Sequence, residues 1–541
     1  MKNVVHVGII LNGELIPCWI YQVVAKIAGS NYADLKLIVL NESARLEDND
    51  PKASFFFKLH RKLDRQVFGK RYNFNQLVDA TALFQGIARC SLSPKNENAW
   101  SEIASYKLDV LLNLSAVDFS TCQFPLARFG VWQYVIGERN CNSLAYIYGQ
   151  MINEGPVMEI SVRATNGEFE REAVIHRSWV PVNYHSIQIN QYHLYSFCSL
   201  ILPRLLAGIY KFGTAYFGGQ TLHFRMTLSE QTSAIFFSPS NYQAVVNVFK
   251  MLSRYLSCLI AHQTSGIWFL MLKVDSEIFP ILPNDYKALI PPKDRAWADP
   301  FVLSRDGNIF IFVEEFLYRD GKGYISLLEI GKEGDLFSFE KILERPFHIS
   351  YPFIFELNAK WYMIPETSAN KTIELYECVE FPRKWSFVMN LKEDINAVDS
   401  TIFFNNNRWW LFTAVSELST WSDYKELHLF SSDTLFTDKW EPHPLNPIVT
   451  DVRTARPAGR IFMKHGQIYR PSQDCSFRYG RAFNLNQITT LSENAYAETM
   501  LSKIEAGWDA DVKGTHTFNC DKKIAVIDAY RYRKRFANRL F

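Results

Sequence analysis

Two hydrophobic patterns divide this chain. In the first half, apolar runs at strand spacing alternate with stretches of helical spacing. Val4–Leu11 reads as a buried strand, Trp19–Ala28 as a helix and Leu35–Leu40 as a second strand. Phe74–Phe84 and Asn98–Tyr106 read as helical or mixed, and Leu108–Leu114 as a strand ending at a polar turn. This β-α-β alternation predicts a small parallel sheet with covering helices. Ligands of such sheets sit at the carboxyl ends of strands, here Leu11-Asn-Gly and Asn113-Leu-Ser. Met158–Ala164 and Arg171–His176 add two strands. Tyr192–Tyr210 has the spacing of a long amphipathic helix that Pro203 should kink or divide. Tyr216–Ser240 is turn-rich and polar, a connector, and Ala244–Ile260 is again helical, with a boundary near Thr264.

From Gly266 onward the pattern changes. Short aromatic and β-branched runs alternate with Gly, Asn and Asp, the pattern of repeated antiparallel strands. They fall into units of roughly 45–55 residues, within the range of propeller blades. Asn405-Asn-Asn reads as a hairpin turn. An acidic residue recurs at the edge of the runs, as in Trp297-Ala-Asp-Pro-Phe-Val, Phe312-Val-Glu-Glu-Phe, Ile364-Pro-Glu-Thr and Ala397-Val-Asp-Ser-Thr. If the runs are blades, these acids meet at one central pocket.

Composition narrows the function. The 541 residues suit two or three domains, with 48% hydrophobic and 21% charged residues, enough for ordinary cores. Aromatics reach 15%, which suits β architecture and also sugar binding, where rings stack on pyranose faces. A net charge of +2 gives no electrostatic case for nucleic acid. The nine cysteines form no C-x-x-C pair and no zinc-spaced cluster, so no metal site is expected from spacing. No Gly-rich phosphate loop follows a strand: Gly208, Gly213, Gly218 and Gly219 are out of place for one. Met1–Ile10 reads as a first strand rather than a signal peptide. Leu256–Leu272 is too short and too polar to span a bilayer. The expected location is the cytoplasm.

The second half, from Gly266 to His516, resembles the N-terminal domain of plant glucosamine inositolphosphorylceramide transferases and its bacterial relatives. The resemblance rests on Ala298-Asp-Pro-Phe-Val, Val313-Glu-Glu-Phe, Ser350-Tyr-Pro-Phe, Met363-Ile-Pro-Glu, Glu374-Leu-Tyr and Phe381-Pro-Arg-Lys-Trp. Trp409-Trp-Leu-Phe, His443-Pro-Leu-Asn-Pro-Ile-Val, Arg456-Pro-Ala-Gly-Arg, Tyr469-Arg-Pro-Ser-Gln-Asp-Cys and Tyr479-Gly complete it in order. That domain looks like the five-bladed propeller of arabinanase- and invertase-type glycosidases. The first half resembles a formyltransferase-like domain, through Val5–Leu11, Leu108–Ser115 and Phe129-Gly-Val-Trp-Gln-Tyr. Active members carry an Asn, a His and an Asp there. Here Val135 or Ile136 stands in place of the His, and Asn166-Gly-Glu-Phe-Glu in place of the Gly-Asp segment. Valine neither donates a hydrogen bond nor carries a proton, so the domain is read as inactive. The expected organisation is multidomain: a Rossmann-like α/β formyltransferase-like domain at 1–180, a helical connector at 181–264, a five-bladed β-propeller at 265–528 and a basic aromatic tail at 529–541.

Glycosyl chemistry needs an acid for the leaving oxygen and a carboxylate as base, nucleophile or stabiliser. The candidates are Asp299, Glu314, Glu366 and Asp399. Resemblance to the propeller glycosidases makes Asp299 the base or nucleophile and Asp399 the carboxylate that tunes pKa. Glu314 and Glu366 compete as the acid. Arg456, Arg470, Gln473, Asp474 and His516 are candidate substrate-binding residues; the two arginines suit a phosphate or carboxylate. The resemblance also makes His516 the candidate ligand of a channel cation. Simpler readings stand beside these. Asp299 precedes Pro300 and Glu366 follows Pro365, so each suits a turn; His516 suits a closing strand. Asp474 can pair structurally with Arg470 or Arg478, and Glu315 reads as a solvated neighbour facing away from Glu314.

The C-terminal segment from Tyr530 carries Arg531, Arg533, Lys534, Arg535 and Arg539 among aromatic and aliphatic residues. It suits either a solvated end or peripheral contact with the inner face of an anionic membrane. The leading expectation is a glycosyltransferase-like carbohydrate-active protein of cell-surface polysaccharide or glycolipid biosynthesis, its partner a sugar nucleotide or lipid-linked glycan, with no cofactor. The alternatives are a sugar N-formyltransferase using formyl-tetrahydrofolate, a glycoside hydrolase and a non-catalytic glycan-binding scaffold.

Overall fold

The computed structural model describes residues 4–41, 53–92, 97–115, 117, 125–137, 143–165, 173–213, 216, 239–261, 264–274, 279, 281–417, 426–522 and 524–534. The chain forms two compact units, Met1–Tyr255 and Leu256–Phe541.

The first unit is an α/β domain. Its strands are β1 (Val5–Leu11), β2 (Leu15–Pro17), β3 (Ala33–Asn41), β4 (Leu77–Asp79), β5 (Ala88–Leu92), β6 (Val110–Asn113), β7 (Val131–Ile136), β8 (Val157–Thr165) and β9 (Ala173–Pro181). Seven of them form one sheet in the order β5-β3-β1-β6-β7-β8-β9. The strands from β5 to β7 run parallel, and β8 and β9 add antiparallel. The sheet is therefore larger than the small parallel one expected, and it is mixed. Apolar alternation identifies a strand but leaves its direction open, and only the pairing of β7 with β8 and of β8 with β9 settles it. Its helices are α1 (Cys18–Ala28), α2 (Phe55–Phe68), α3 (Glu97–Ser105), α4 (Ser143–Ile152), α5 (Ile187–Phe212) and α6 (Asn241–Ala261), the last belonging to this unit through Tyr255. Helix α5 packs on α1, α2 and α4 and on the sheet. Its Ser186 hydroxyl caps the N-terminus by accepting from the Ile189 N–H at 3.1 Å. Pro203 lies inside it, yet the helix runs through as one element. No helix among the described residues is long and apolar enough to cross a membrane. Residues 217–238 of the expected connector lie outside the described residues.

The second unit is a five-bladed β-propeller. Residues Thr264–Lys273 (β10) and Lys287–Leu289 (β11) belong to the closing blade. The next blade holds β12 (Arg295–Arg305), β13 (Asn308–Leu317), β14 (Lys322–Ile330) and β15 (Leu336–Leu343). Another holds β16 (Ser350–Leu357), β17 (Lys360–Thr367), β18 (Thr372–Glu380) and β19 (Lys384–Lys392). Then come β20 (Ala397–Asn405), β21 (Arg408–Val415), β22 (Glu426–Ser432) and β23 (Glu441–Pro442), followed by β24 (Phe462–Lys464), β25 (Gln467–Asp474), β26 (Ala482–Leu491) and β27 (Tyr496–Glu505). Each set forms one four-stranded antiparallel sheet. The chain ends with β28 (Val512–Gly514), β29 (Phe518–Asp521) and β30 (Ile524–Lys534). Strand β30 pairs with β10 from Thr264↔Lys534 to Lys273↔Ala525, so the first and last strands of the ring are hydrogen-bonded neighbours. This closure takes up Ala529–Lys534, the first part of the segment read as a tail; 535–541 lie outside the described residues. Asn406 and Asn407, at φ 52° and 56°, form the two-residue turn expected between β20 and β21.

One irregularity recurs and positions the site. In β12 two residues, Asp299 and Pro300, lie opposite the single residue Val313, because the register passes from Ala298↔Glu314 to Phe301↔Phe312. The same bulge occurs in β16 at Tyr351-Pro352 and in β20 at Asp399-Ser400. Asp299, Tyr351 and Asp399 all sit in the left-handed region, at φ 50°, 44° and 53°. Aspartate tolerates that region better than most residues; tyrosine pays steric strain there. The three are equivalent positions of successive blades, as are Glu314, Glu366 and Ala414, the partners of the residue before each bulge.

Candidate active site

The bulges turn side chains into a cavity of about 330 Å³ within the propeller. Asp299, Glu314, Glu366, Arg456 and His516 line it, with Trp268 and Tyr479 among its aromatic wall. Asp299 is 3% exposed. Its Oδ1 accepts from the Thr517 hydroxyl at 2.8 Å and lies 3.1 Å from His516 Nε2. His516 Nδ1 lies 2.8 Å from Asp528 Oδ2, so the imidazole is held between two carboxylates. Asp528 is also buried and fixes the loop after β28, its Oδ1 accepting from the backbone N–H groups of His516 at 2.8 Å and Thr517 at 3.0 Å. The His516 ring lies 4.4 Å from Trp268 and 5.0 Å from Tyr479, centroid to centroid.

These contacts set the charges. Burial works against an imidazolium at His516, but Asp528 and Asp299 outweigh it and push the group up to about 10. Burial opposes ionisation of Asp299 too; the hydrogen bond and charge of His516, then Thr517 and Arg456, hold it below the usual carboxylate range. Glu314 is the reverse case. Burial, then the charges of Asp299 and Glu366, raise it well above an ordinary glutamate. Nearby His348 Nε2 lies 3.4 Å from Glu314 Oε1, and its Nδ1 accepts from the Gly323 N–H at 3.0 Å. Glu366 accepts from the Ser368 hydroxyl at 2.8 Å.

Asp399 lies beneath this wall and is 1% exposed. Its Oδ2 accepts from the Arg456 guanidinium and from Gln473 Nε2, the latter at 3.0 Å. Burial pushes Asp399 up to about 7, against the pull of Arg456 and with the push of Glu366 and Asp299. The guanidinium lies over the Tyr479 ring at 4.7 Å. The site thus holds an ionised carboxylate, a carboxyl that favours its proton and a fixed cation, all inside a water-sized-to-sugar-sized hollow with aromatic walls. Asp299, His516 and Asp528 also place ligand atoms within 4.8 Å of one another and could hold a metal ion, a grouping whose spacing in the chain gave no signal.

Comparison with known proteins falls on this unit. Residues 291–533 match the family described as "Glucosamine inositolphosphorylceramide transferase 1, N-terminal". The chain is 31% identical over 225 residues to glucosamine inositolphosphorylceramide transferase 1 of Oryza sativa subsp. japonica, covering 41% of this chain and 30% of that protein. It is 31% identical over 229 residues to the protein of the same name from Arabidopsis thaliana, covering 41% and 29%. The chain therefore spans about 30% of the length of the curated relatives it matches. Among solved structures, the family 117 glycoside hydrolase Zg3597 of Zobellia galactanivorans aligns over 49% of this chain and 91% of its own, at 10% identity and a TM-score of 0.32. The α-L-arabinofuranosidase PaAbf62A of Podospora anserina aligns over 44% and 92%, at 10% identity and 0.34. The α/β unit lies outside the family match.

Of the residues singled out in the sequence, Asp299, Glu314, Glu366, Arg456 and His516 share the cavity, and Asp399 and Gln473 support it from below. Arg470 and Asp474 do not join them. Strand alternation places them on the other face of β25 from Gln473. Arg470, 1% exposed, forms a two-point pair with Glu498, Nε to Oε2 at 2.7 Å and Nη2 to Oε1 at 2.5 Å. Asp474 pairs with Lys503 at 2.6 Å, rather than with Arg470 or Arg478. Glu315 does face away from Glu314, but it is not solvated: it is 3% exposed and accepts from Trp297 Nε1 at 3.0 Å and from Arg295 at 3.2 Å. A buried indole N–H needs an acceptor, which is why the second glutamate stands there. Trp268, His348, Thr517 and Asp528 were not singled out. Asp528 had one signal, an acid in the middle of the apolar run Ile524–Ala529.

Proposed function

We propose that the propeller is the sugar site of a carbohydrate-active protein of glycan or glycolipid biosynthesis. The observation that carries this reading is the convergence of Asp299, Glu314, Glu366 and Arg456 on one aromatic-walled cavity. Two carboxyl groups with opposed proton affinities are what glycosyl chemistry requires. In this reading Glu314, kept protonated by burial and neighbouring carboxylates, gives its proton to the leaving oxygen. Asp299, kept ionised beside His516, faces the anomeric carbon as base, nucleophile or stabiliser. Arg456 holds an anionic or hydroxyl group of the substrate over Tyr479. The name of the matched relatives, a glucosamine inositolphosphorylceramide transferase, favours transfer to a lipid-linked acceptor over hydrolysis. The α/β unit is read as an inactive formyltransferase relative: Val135 or Ile136 of β7 stands where the resemblance would place an active member's histidine.

The test is binding and turnover with a panel of sugar nucleotides, glycolipid headgroups and neutral glycans, with Asp299→Asn and Glu314→Gln beside the native protein. The proposal expects turnover reduced by ~10²-fold or more in each variant, with folding retained. A second reading has an observation of its own. Asp299 is already engaged by His516 and Thr517, and Asp399 by Arg456 and Gln473, which suits a rigid binding site without chemistry. Saccharide binding that survives Glu314→Gln, with no turnover in any pairing, would favour it.

A further inference from the structure

We infer that the α/β unit carries a docking face for an anionic lipid surface, built from α2 and α6 and separate from the propeller cavity. Helix α2 turns a largely polar face inward and leaves its apolar stripe outside. Phe57, His60 and Asp64 face inward and are buried. Asp64 Oδ2 there accepts from the Gln188 backbone N–H at 2.7 Å, and His60 Nδ1 lies 3.0 Å from the Tyr148 hydroxyl. The apolar stripe repeats at helical spacing and stays outside: Phe55, Leu59, Leu63 and Val67 are 67%, 42%, 52% and 71% exposed. Helix α6 does the same with Phe249, Leu252 and Tyr255, at 68%, 53% and 59%. The Phe56 backbone N–H donates to Asn241 Oδ1 at 3.0 Å, tying the start of one helix to the start of the other. Between them runs an apolar groove of about 490 Å³, lined by Phe56, Leu63, Val248, Met251 and neighbours. A contiguous apolar face of this kind marks an interaction site rather than scattered surface residues.

Charge identifies the occupant. From Phe55 to Arg71 the chain carries Lys58, Arg61, Lys62, Arg65, Lys70 and Arg71 against one acid, Asp64, which is buried. Helix α6 contains Lys250 and Arg254 and no acid at all. Both cations of α6 meet Glu154, at 3.0 and 2.9 Å, so the surplus lies on α2, where Lys62 and Arg65 are exposed. Protruding rings and aliphatic tips beside a cationic margin fit the boundary between headgroups and acyl chains of an anionic bilayer. No acidic side chain is exposed on either helix to pair with a basic partner, and Phe55, Val67 and Phe249 stand proud of the surface. Neither helix is apolar enough to cross the bilayer, so they lie on it.

The test is co-sedimentation of the full chain with vesicles of phosphatidylcholine alone and with added phosphatidylserine, at low and high salt. Binding to the anionic vesicles is expected at least about tenfold above phosphatidylcholine and weakened by salt. Leu63→Glu with Phe249→Glu should lose about tenfold or more of it, and Lys62→Glu with Arg65→Glu should lose the preference for anionic lipid. All four positions are exposed, so thermal melting of each variant should match the native protein. Equal partitioning of native and Leu63→Glu/Phe249→Glu chains, or no binding to anionic vesicles, would overturn the inference. So would a native dimer in light scattering that Leu63→Glu converts to a monomer, which would assign the face to a second copy of the chain. Catalysis by the propeller is not read in any arm, so the result stands apart from the proposed function.

Discussion

At the scale of single residues, His516 is the group on which both charge and stability turn. Its proton is bound more tightly in the folded chain, up to about 10, than by an unfolded histidine at roughly 6.5. The stability it contributes is therefore complete below pH ~6.5 and drains as pH rises toward about 10. Asp299 has the opposite sign: held below the ordinary range, it contributes stability above pH ~4 that is lost as pH falls. Glu314 and Asp399, both raised by burial, add their own loss of stability as pH rises above ~4, so denaturant titrations should show a decline that begins there and runs on into the alkaline range. His516→Asn should make that decline shallower and cost roughly 3–5 kcal/mol, because it leaves Asp299 and Asp528 buried without the imidazolium between them. A second contrast separates the two arginines. Arg470→Ala leaves half-buried Glu498 without its cation and should cost about 2–4 kcal/mol while sparing the affinity of folded protein for a saccharide. Arg456→Ala should instead weaken that affinity, measured by calorimetry on the same panel. Such a difference was not legible in the chain, since both arginines open similar Arg-Pro segments. Only the fold shows that Arg470, on β25, faces Glu498 while Arg456, in the loop before β24, faces Asp399.

At the scale of elements, the runs of β-branched and aromatic residues announced most strands, because alternation is a local signal. The bulges were not legible. Ala-Asp-Pro, Ser-Tyr-Pro and Val-Asp-Ser all read as strand edges, whereas in the fold they are mid-strand insertions that aim Asp299 and Asp399 inward. Helix α2 is different: Phe55, Leu59, Leu63 and Val67 recur at helical spacing, yet that apolar stripe faces out and the buried face holds His60 and Asp64, the reverse of the usual pattern. A further requirement appears in β14. A Cβ at Gly323 would lie 2.9 Å from Glu314 Oε1, 2.8 Å from the Ile349 carbonyl oxygen and 2.7 Å from the His348 ring. The carbonyl cannot yield without moving β16, so the carboxylate and the imidazole must. Gly323→Ala should cost about 1–3 kcal/mol in stability and displace the acid that the proposed chemistry uses. Turnover should fall by ~10²-fold, as for Glu314→Gln, with saccharide binding reduced less. An unchanged rate would mean that Glu314 is free to move without consequence and is not the proton donor.

At the scale of the whole chain, the decisive feature is where the ring closes. A propeller with an open seam exposes two strand edges, an invitation to pair with other chains. Here β10 and β30 seal it, through ten residue pairs from Thr264↔Lys534 to Lys273↔Ala525. The same strand carries Asp528, which fixes His516 and Thr517 and so reaches Asp299. Closure and site assembly are therefore one event, linking positions far apart in the chain. Sequence spacing shows neither: the change of pattern near Thr264 places β10 with the propeller, but not its pairing with β30 or the contact of Asp528 with His516. Both seam strands lie within Leu256–Phe541, so that fragment should fold alone, giving a cooperative thermal transition and retaining the saccharide affinity of the full chain. The same fragment ending at Asp521 loses β30, leaving β10, β28 and β29 without their shared partner. It should aggregate or bind a hydrophobic dye rather than melt cooperatively, and size-exclusion chromatography of the two fragments would show it. A truncated fragment that stays monomeric and binds saccharide would mean that the site is organised by the blades from β12 to β27 alone, with the His516–Asp528 pair dispensable.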